Sequence, residues 1–124
     1  KILVFIRKDE EGEEKDIDES NKKVQEEITD ISNRGFEIGI HGSFGTSNSA
    51  TRFKEDCNRV GEVTSNRFHF LSWNKESFKV LESANITKDS TLGFAEFYGF
   101  RHGICTPFQP YILEEKRAAN FVEY

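Results

Sequence analysis

The chain has 124 residues, 35% of them hydrophobic and 31% charged, with a net charge of −5. That length suits one domain with one core. The acidic balance argues against nucleic-acid binding, which needs a basic face for phosphates, and no apolar run approaches the ~18 residues of a membrane span.

Twelve phenylalanines carry much of the apolar content, and each can bury a large area. There is no methionine, and the chain opens directly on a strand-like run, so a processed or internal piece of a longer protein is expected. Residues 2–6 form a continuous apolar run, as in a strand buried on both faces of a parallel sheet. Residues 8–19 are dense in Asp and Glu around Gly12. They read as a solvated loop, without the ligand spacing of an EF-hand. Asp18 or Ser20 is placed to cap a helix running to Asn33, with Val24, Ile28 and Ile31 on one stripe. Arg34 suits its negative end and Gly35 its stop.

Residues 36–41 form the next predicted strand. It is followed by a Gly/Ser/Thr/Asn loop over 42–49, long enough to line a site. A helix is expected over 50–60, with Phe53, Cys57 and Val60 on one side and Gly61 after it. Residues 67–71 read as a third strand. Period-two alternation there puts Arg67 and His69 on one face and Phe68 and Phe70 on the other, toward a helix layer. Asn74 is expected to cap a helix through Ala84. The alternation of strand and helix predicts an α/β domain with parallel strands and right-handed crossovers. Residues 94–110, rich in Gly and aromatics with Pro107 and Pro110, read as a long loop of the functional kind. Residues 113–124 read as a helix.

Two histidines stand at or near strand ends, where α/β proteins build their sites. His41 shares a face with Glu37 and Gly39, and Gly39 leaves room beside it. Neutral imidazole is the commonest metal ligand and also a general base. Arg67 and His69 on one narrow face call for an anion, a carboxylate or a ligand nearby, since a buried Arg is costly unpaired. Asp89 is placed either to orient His69, to pair with Arg67, or to cap a turn with Ser90 and Thr91. Ser43, beside His41, and Arg101 and His102, in the aromatic loop, are candidate substrate contacts. Cys57 and Cys105 form no CxxC and read as buried free thiols. The chain carries no Walker loop, GxGxxG or HExxH, so the common nucleotide sites are not expected.

Four segments in order resemble one family. They are RGFEIGIHGS at 34–43, RFHFL at 67–71, DSTLGF at 89–94 and GFRHGICTPF at 99–108. Together they look like polysaccharide-deacetylase-like proteins, the NodB-homology carbohydrate esterases, in one bacterial branch. The resemblance spans most of the chain from Val24 onward. It implies a distorted (β/α) barrel with parallel strands, of which this chain is a portion incomplete at both ends. The expected Asp-x-Asp strand would precede Lys1, and the late strand with a catalytic histidine would follow Tyr124. It also implies one divalent metal, usually zinc, and removal of an acetyl group from an N-acetylated carbohydrate, the metal acting as Lewis acid.

By the same resemblance His41 matches the first metal histidine, and Arg67 matches the arginine that orients the catalytic carboxylate. Asp89 lies in the fourth motif region and joins Arg67 as an expected catalytic residue. The family's second histidine falls at Gly45 here. His69, where many relatives carry proline, is expected to replace it as a ligand. The alternatives are a catalytically degenerate carbohydrate-binding member, and a structural α/β piece in which His41 and His69 are core or rim residues.

Overall fold

Short strands, the first four joined through helices, build a parallel sheet, and the sheet decides where the histidines lie. The computed structural model describes residues 3–6, by backbone, and residues 21–124. The acidic stretch at 8–19 and the proposed caps Asp18 and Ser20 lie outside the described residues. Strand β1 (Leu3–Ile6) pairs in parallel with β2 (Glu37–Ile40). Between them runs helix α1 (Lys22–Asn33), capped by Asn21, whose side-chain oxygen accepts the Lys23 N–H at 3.0 Å. Val24, Ile28 and Ile31 are its half-buried stripe. Gly35, in the left-handed region at φ +84°, ends the turn that follows, as glycine does without Cβ strain.

Helix α2 (Ala50–Val60) leads to β3 (Ser65–Asn66), and α3 (Ser77–Ser83) leads to β4 (Lys88–Asp89). A hairpin of β5 (Tyr111–Ile112) and β6 (Arg117–Ala118) follows, and β7 (Val122–Glu123) pairs in parallel with β4. The parallel sheet runs β1-β2-β3-β4-β7. The described elements make a mixed α/β arrangement with a five-stranded parallel sheet. No described helix is long and apolar enough to cross a membrane.

The core gathers Ile40, Phe53, Phe68, Val80, Leu81, Ile86 and Phe121. Phe53 and Phe68 meet with ring centroids 5.1 Å apart. Glu37 bridges strands within the sheet: it accepts from Ser65 Oγ, and both its oxygens accept from Lys88 Nζ at 2.7 Å. This uses the Glu37 face that strand periodicity assigned.

Four expectations are corrected. The third strand is Ser65–Asn66, not 67–71. The Arg67 N–H still reaches Ile40 O, and the His69 N–H reaches Gly42 O, at 3.0 and 2.9 Å. The chain then turns over His69–Leu71, with Phe70 at φ 54° and Leu71 at φ 51°. The turn breaks the alternation: Phe68 is 0% exposed, as expected of the helix-facing side, but Phe70 is 72% exposed.

Helix α3 is shorter than the predicted span, because Asn74 caps the preceding turn by accepting the Glu76 N–H at 2.9 Å. Residues 113–124 are not helical. Lys116 at φ 53° turns the hairpin, and Arg117 clamps it to α3 with Nη1 and Nη2 on the two oxygens of Glu82, at 2.8 and 2.6 Å. That fork holds the Glu82 carboxyl below the usual carboxylate range, as paired guanidinium does. Last, Cys57 is buried but Cys105 is exposed, and both are free.

Gly42 marks where the core meets the site. A Cβ there would stand 2.7 Å from Phe68 Cδ1 and 3.0 Å from Phe53 Cε2. Both rings are fully buried and cannot step aside. Gly42→Ala is therefore expected to destabilise by about 1–3 kcal/mol through overpacking, measured by urea unfolding. A neutral result would refute the close approach.

Candidate functional site

Each segment that leaves the carboxyl end of β2, β3 or β4 supplies part of one site. His41 follows β2 directly. His69 is carried there by the turn after β3. The structure brings the two together: His41 Nε2 lies 3.2 Å from His69 Nδ1, with the rings nearly perpendicular at 84°. Phe70 stacks against His69 at 3.8 Å between centroids, so its outward turn fixes one side of that ring. Two consecutive bulky residues in the left-handed region cost of order 1–3 kcal/mol each. Such strain clusters at functional sites, and here it adjoins His69.

The donor set fits a tetrahedral divalent ion in part. Two imidazole nitrogens on one zinc, each at about 2.0–2.1 Å, stand about 3.3 Å apart. The observed 3.2 Å matches that edge. Among the described residues no third His, Cys, Asp or Glu joins them. The same 3.2 Å is a hydrogen-bond distance between the two rings, and a catalytic zinc site would need a third protein ligand beyond this pair.

Arg67 leaves the end of β3 and is exposed. Its Nε donates to Ser90 O and Ser90 Oγ at 3.2 and 3.1 Å. Asp89 is 1% exposed, and its carboxylate is held by three donors. Asn66 Nδ2 and Thr91 Oγ1 donate to Asp89 Oδ1 at 2.7 and 3.0 Å, and the Thr91 N–H donates to Oδ2 at 2.9 Å. From there the network reaches the backbone amides of the residues next to both histidines. Asn66 Oδ1 accepts the Gly42 N–H at 3.4 Å, and Thr91 Oγ1 accepts the Phe68 N–H at 3.0 Å.

Ser43 is fixed by its backbone: its N–H donates to the buried carboxylate of Asp56 at 3.1 Å. Gly45 stands at φ +76° and opens the short turn Thr46–Asn48. A histidine in that left-handed position would be strained, which gives a physical reason for the glycine. Arg101 comes to the site's rim, with Nη1 donating to Leu71 O at 2.9 Å. His102 is exposed and packs toward Phe108, at 6.1 Å between centroids. The structure therefore groups Arg101 with the turn after β3 and places His102 elsewhere on the loop.

An open groove of about 510 Å³ adjoins the histidine pair, lined by Phe44, Phe70, Trp73, Phe94, Phe97 and Arg101. Its aromatics come from the segments after β2, β3 and β4. Phe44 meets Phe70 edge-to-face at 6.3 Å, and Phe94 meets Phe97 at the same distance. Exposed contiguous aromatics mark a binding surface more often than chance packing.

Sequence reasoning missed Asn66 and Glu123, whereas the turn of Asp89 with Thr91 was among its expectations. The Asp-Ser-Thr run carried a signal for Thr91, because a side chain that bonds its own backbone two residues on is a local turn habit. Glu123 was hidden by the helix expected over it. Compared with protein-family models, with curated proteins and with solved structures, the chain matches none.

Proposed function

We propose that the protein contributes to a metal-dependent deacetylase that hydrolyses the amide of an N-acetylated carbohydrate. The observation that carries this reading is the 3.2 Å approach of His41 Nε2 to His69 Nδ1 at the carboxyl ends of parallel strands. The ordered resemblance of four segments to the polysaccharide-deacetylase-like family supports it. His41 and His69 would hold a divalent ion, zinc in the first instance, which would supply Lewis acidity toward a carbonyl. Arg67, whose Nε is held by Ser90 in the segment after β4, brings a positive charge to this end of the sheet. The aromatic groove presents faces on which sugar rings stack, and Arg101 anchors its rim. Asp89 keeps both histidine-bearing segments in place.

The second reading is a degenerate member that binds carbohydrate without hydrolysis. Gly45 favours it, since the family's second histidine is replaced by a glycine in the left-handed region. One experiment separates the two. The protein is titrated with zinc and then given N-acetylated chito-oligosaccharide, with acetate release followed before and after chelation. The deacetylase reading expects one zinc per chain and chelator-sensitive acetate release. Sugar binding without acetate release favours the second reading. His41→Ala is expected to abolish stoichiometric zinc binding, and retention of one zinc per chain would overturn the ligand assignment.

A further inference from the structure

Glu123 stands at the carboxyl end of β7, in register with Asp89 on β4, which is in register with Asn66 on β3. It is 2% exposed. Its Oε1 accepts the Leu92 N–H at 2.6 Å. Its Oε2 is fully buried and receives no hydrogen bond from any N–H or O–H donor. That oxygen belongs to a carboxyl that faces the Asp89 carboxyl. Two ionised carboxylates do not share a buried site, because like charges in contact disfavour each other's charged form. A proton on Oε2 turns the orphan acceptor into a donor toward Asp89 and removes the repulsion.

The other groups decide which carboxyl keeps the proton. Asp89 already accepts three hydrogen bonds, from Asn66 Nδ2, the Thr91 N–H and Thr91 Oγ1. Those donors stabilise its charge. Glu123 accepts one, from the Leu92 N–H. The charged groups acting on Glu123 are Asp89, from β4, and Arg67, from the segment after β3. The loop at Phe108 meets it through backbone hydrogen bonds.

We infer that Glu123 is a positioning residue: protonated, it donates to Asp89 and completes the network that sets the His41–His69 geometry. Asp89 holds Asn66 and Thr91. Asn66 holds the amide of Gly42, next to His41, and Thr91 holds the amide of Phe68, next to His69. The Gly42 carbonyl accepts from the His69 N–H at 2.9 Å. A single carboxyl proton thus sits behind both histidine-bearing segments. Burial and the Asp89 charge push the Glu123 carboxyl up to about 9. Between the ordinary carboxyl range and that value the native state keeps a proton that the unfolded chain has released. Stability therefore falls as pH rises through that window. Above it the proton passes to solvent, two carboxylates face each other, and the network loosens.

The test compares wild type, Glu123→Gln and Glu123→Ala across pH 5 to 10. Glutamine reproduces the protonated acid: its oxygen accepts from Leu92 and its NH₂ donates to Asp89. The readouts are melting temperature and the backbone amide NMR signals of Gly42 and Phe68. In wild type both amide signals are expected to move together in the alkaline range. Glu123→Gln is expected to keep their neutral-pH positions, to abolish the alkaline transition and to flatten the melting profile. Glu123→Ala is expected to displace both signals at neutral pH. An alkaline transition that persists in Glu123→Gln would overturn the inference. So would a neutral-pH displacement of both signals by Gln. If the Ala variant fails to fold, the Gln comparison decides by itself.

Zinc affinity is a further readout that rests on the proposed function. There Ala is expected to lose about 10–100-fold and Gln to stay near wild type, as for residues supporting a ligand. Wild type that binds no zinc would sink the metal reading and leave the amide test of Glu123 intact.

Discussion

Asp89→Ala is expected to cost about 3–5 kcal/mol of stability, the scale for removing one member of a buried charged network. The carboxylate is 1% exposed and accepts three hydrogen bonds. Its removal leaves Asn66 Nδ2, the Thr91 N–H and Thr91 Oγ1 without that acceptor, and each orphaned buried donor costs about 1–3 kcal/mol. The losses do not simply add, since the hydroxyl can rotate and water can enter the space. Asp89→Asn is expected to fall between wild type and Ala. It keeps the volume and one acceptor oxygen, but turns an NH₂ toward groups that themselves donate. Urea unfolding checks both, as a shift in midpoint at unchanged slope. A loss below about 1 kcal/mol in the Ala variant would mean that the network contributes little net stability.

The same residue shows what could be read from the chain alone. Asp89 stood out in the sequence as a carboxylate at a strand end, and it is at one. Thr91, two residues on, was legible beside it, but Asn66 and Glu123 were not, because they come from β3 and β7, far away in sequence. Parallel order was legible from alternation, and helices α1 and α2 were legible from their apolar stripes and their glycine stops. Elements of two residues were not. A strand as short as Ser65–Asn66 or Val122–Glu123 has no periodicity to detect, and its pairing is set by neighbours and not by its own residues.

The C-terminal region failed for a second reason. Leu113 to Tyr124 has residues that suit a helix, but Lys116 in the left-handed region and the Arg117–Glu82 fork fix a hairpin instead. Tertiary pairing overrode local propensity. His41 and His69 were each visible as residues. Their convergence was not, because it depends on a turn at Phe70 and Leu71 that no glycine announces.

That turn makes Phe68 and Phe70 the sharpest contrast in the molecule. Strand periodicity treated them as equivalent, both facing the helices. In the structure Phe68 is fully buried against Phe53, and Phe70 is 72% exposed over His69 and the groove. Phe68→Ala is expected to cost about 3–5 kcal/mol, the transfer free energy of the ring plus the cavity left beside Phe53. Phe70→Ala buries nothing less and opens no cavity in the core, so its effect on stability is expected to stay within about 0.5 kcal/mol. The order reverses at the site. Phe70 covers one side of the His69 ring and part of the groove wall, so its loss frees the imidazole and removes a stacking face. Zinc and oligosaccharide titrations are expected to show weaker binding in Phe70→Ala, at nearly unchanged melting temperature. Equal destabilisation by the two alanines would restore the regular strand and remove the turn that delivers His69 to His41. A stable Phe70→Ala protein with wild-type zinc and sugar binding would keep the turn, and would take Phe70 out of the site.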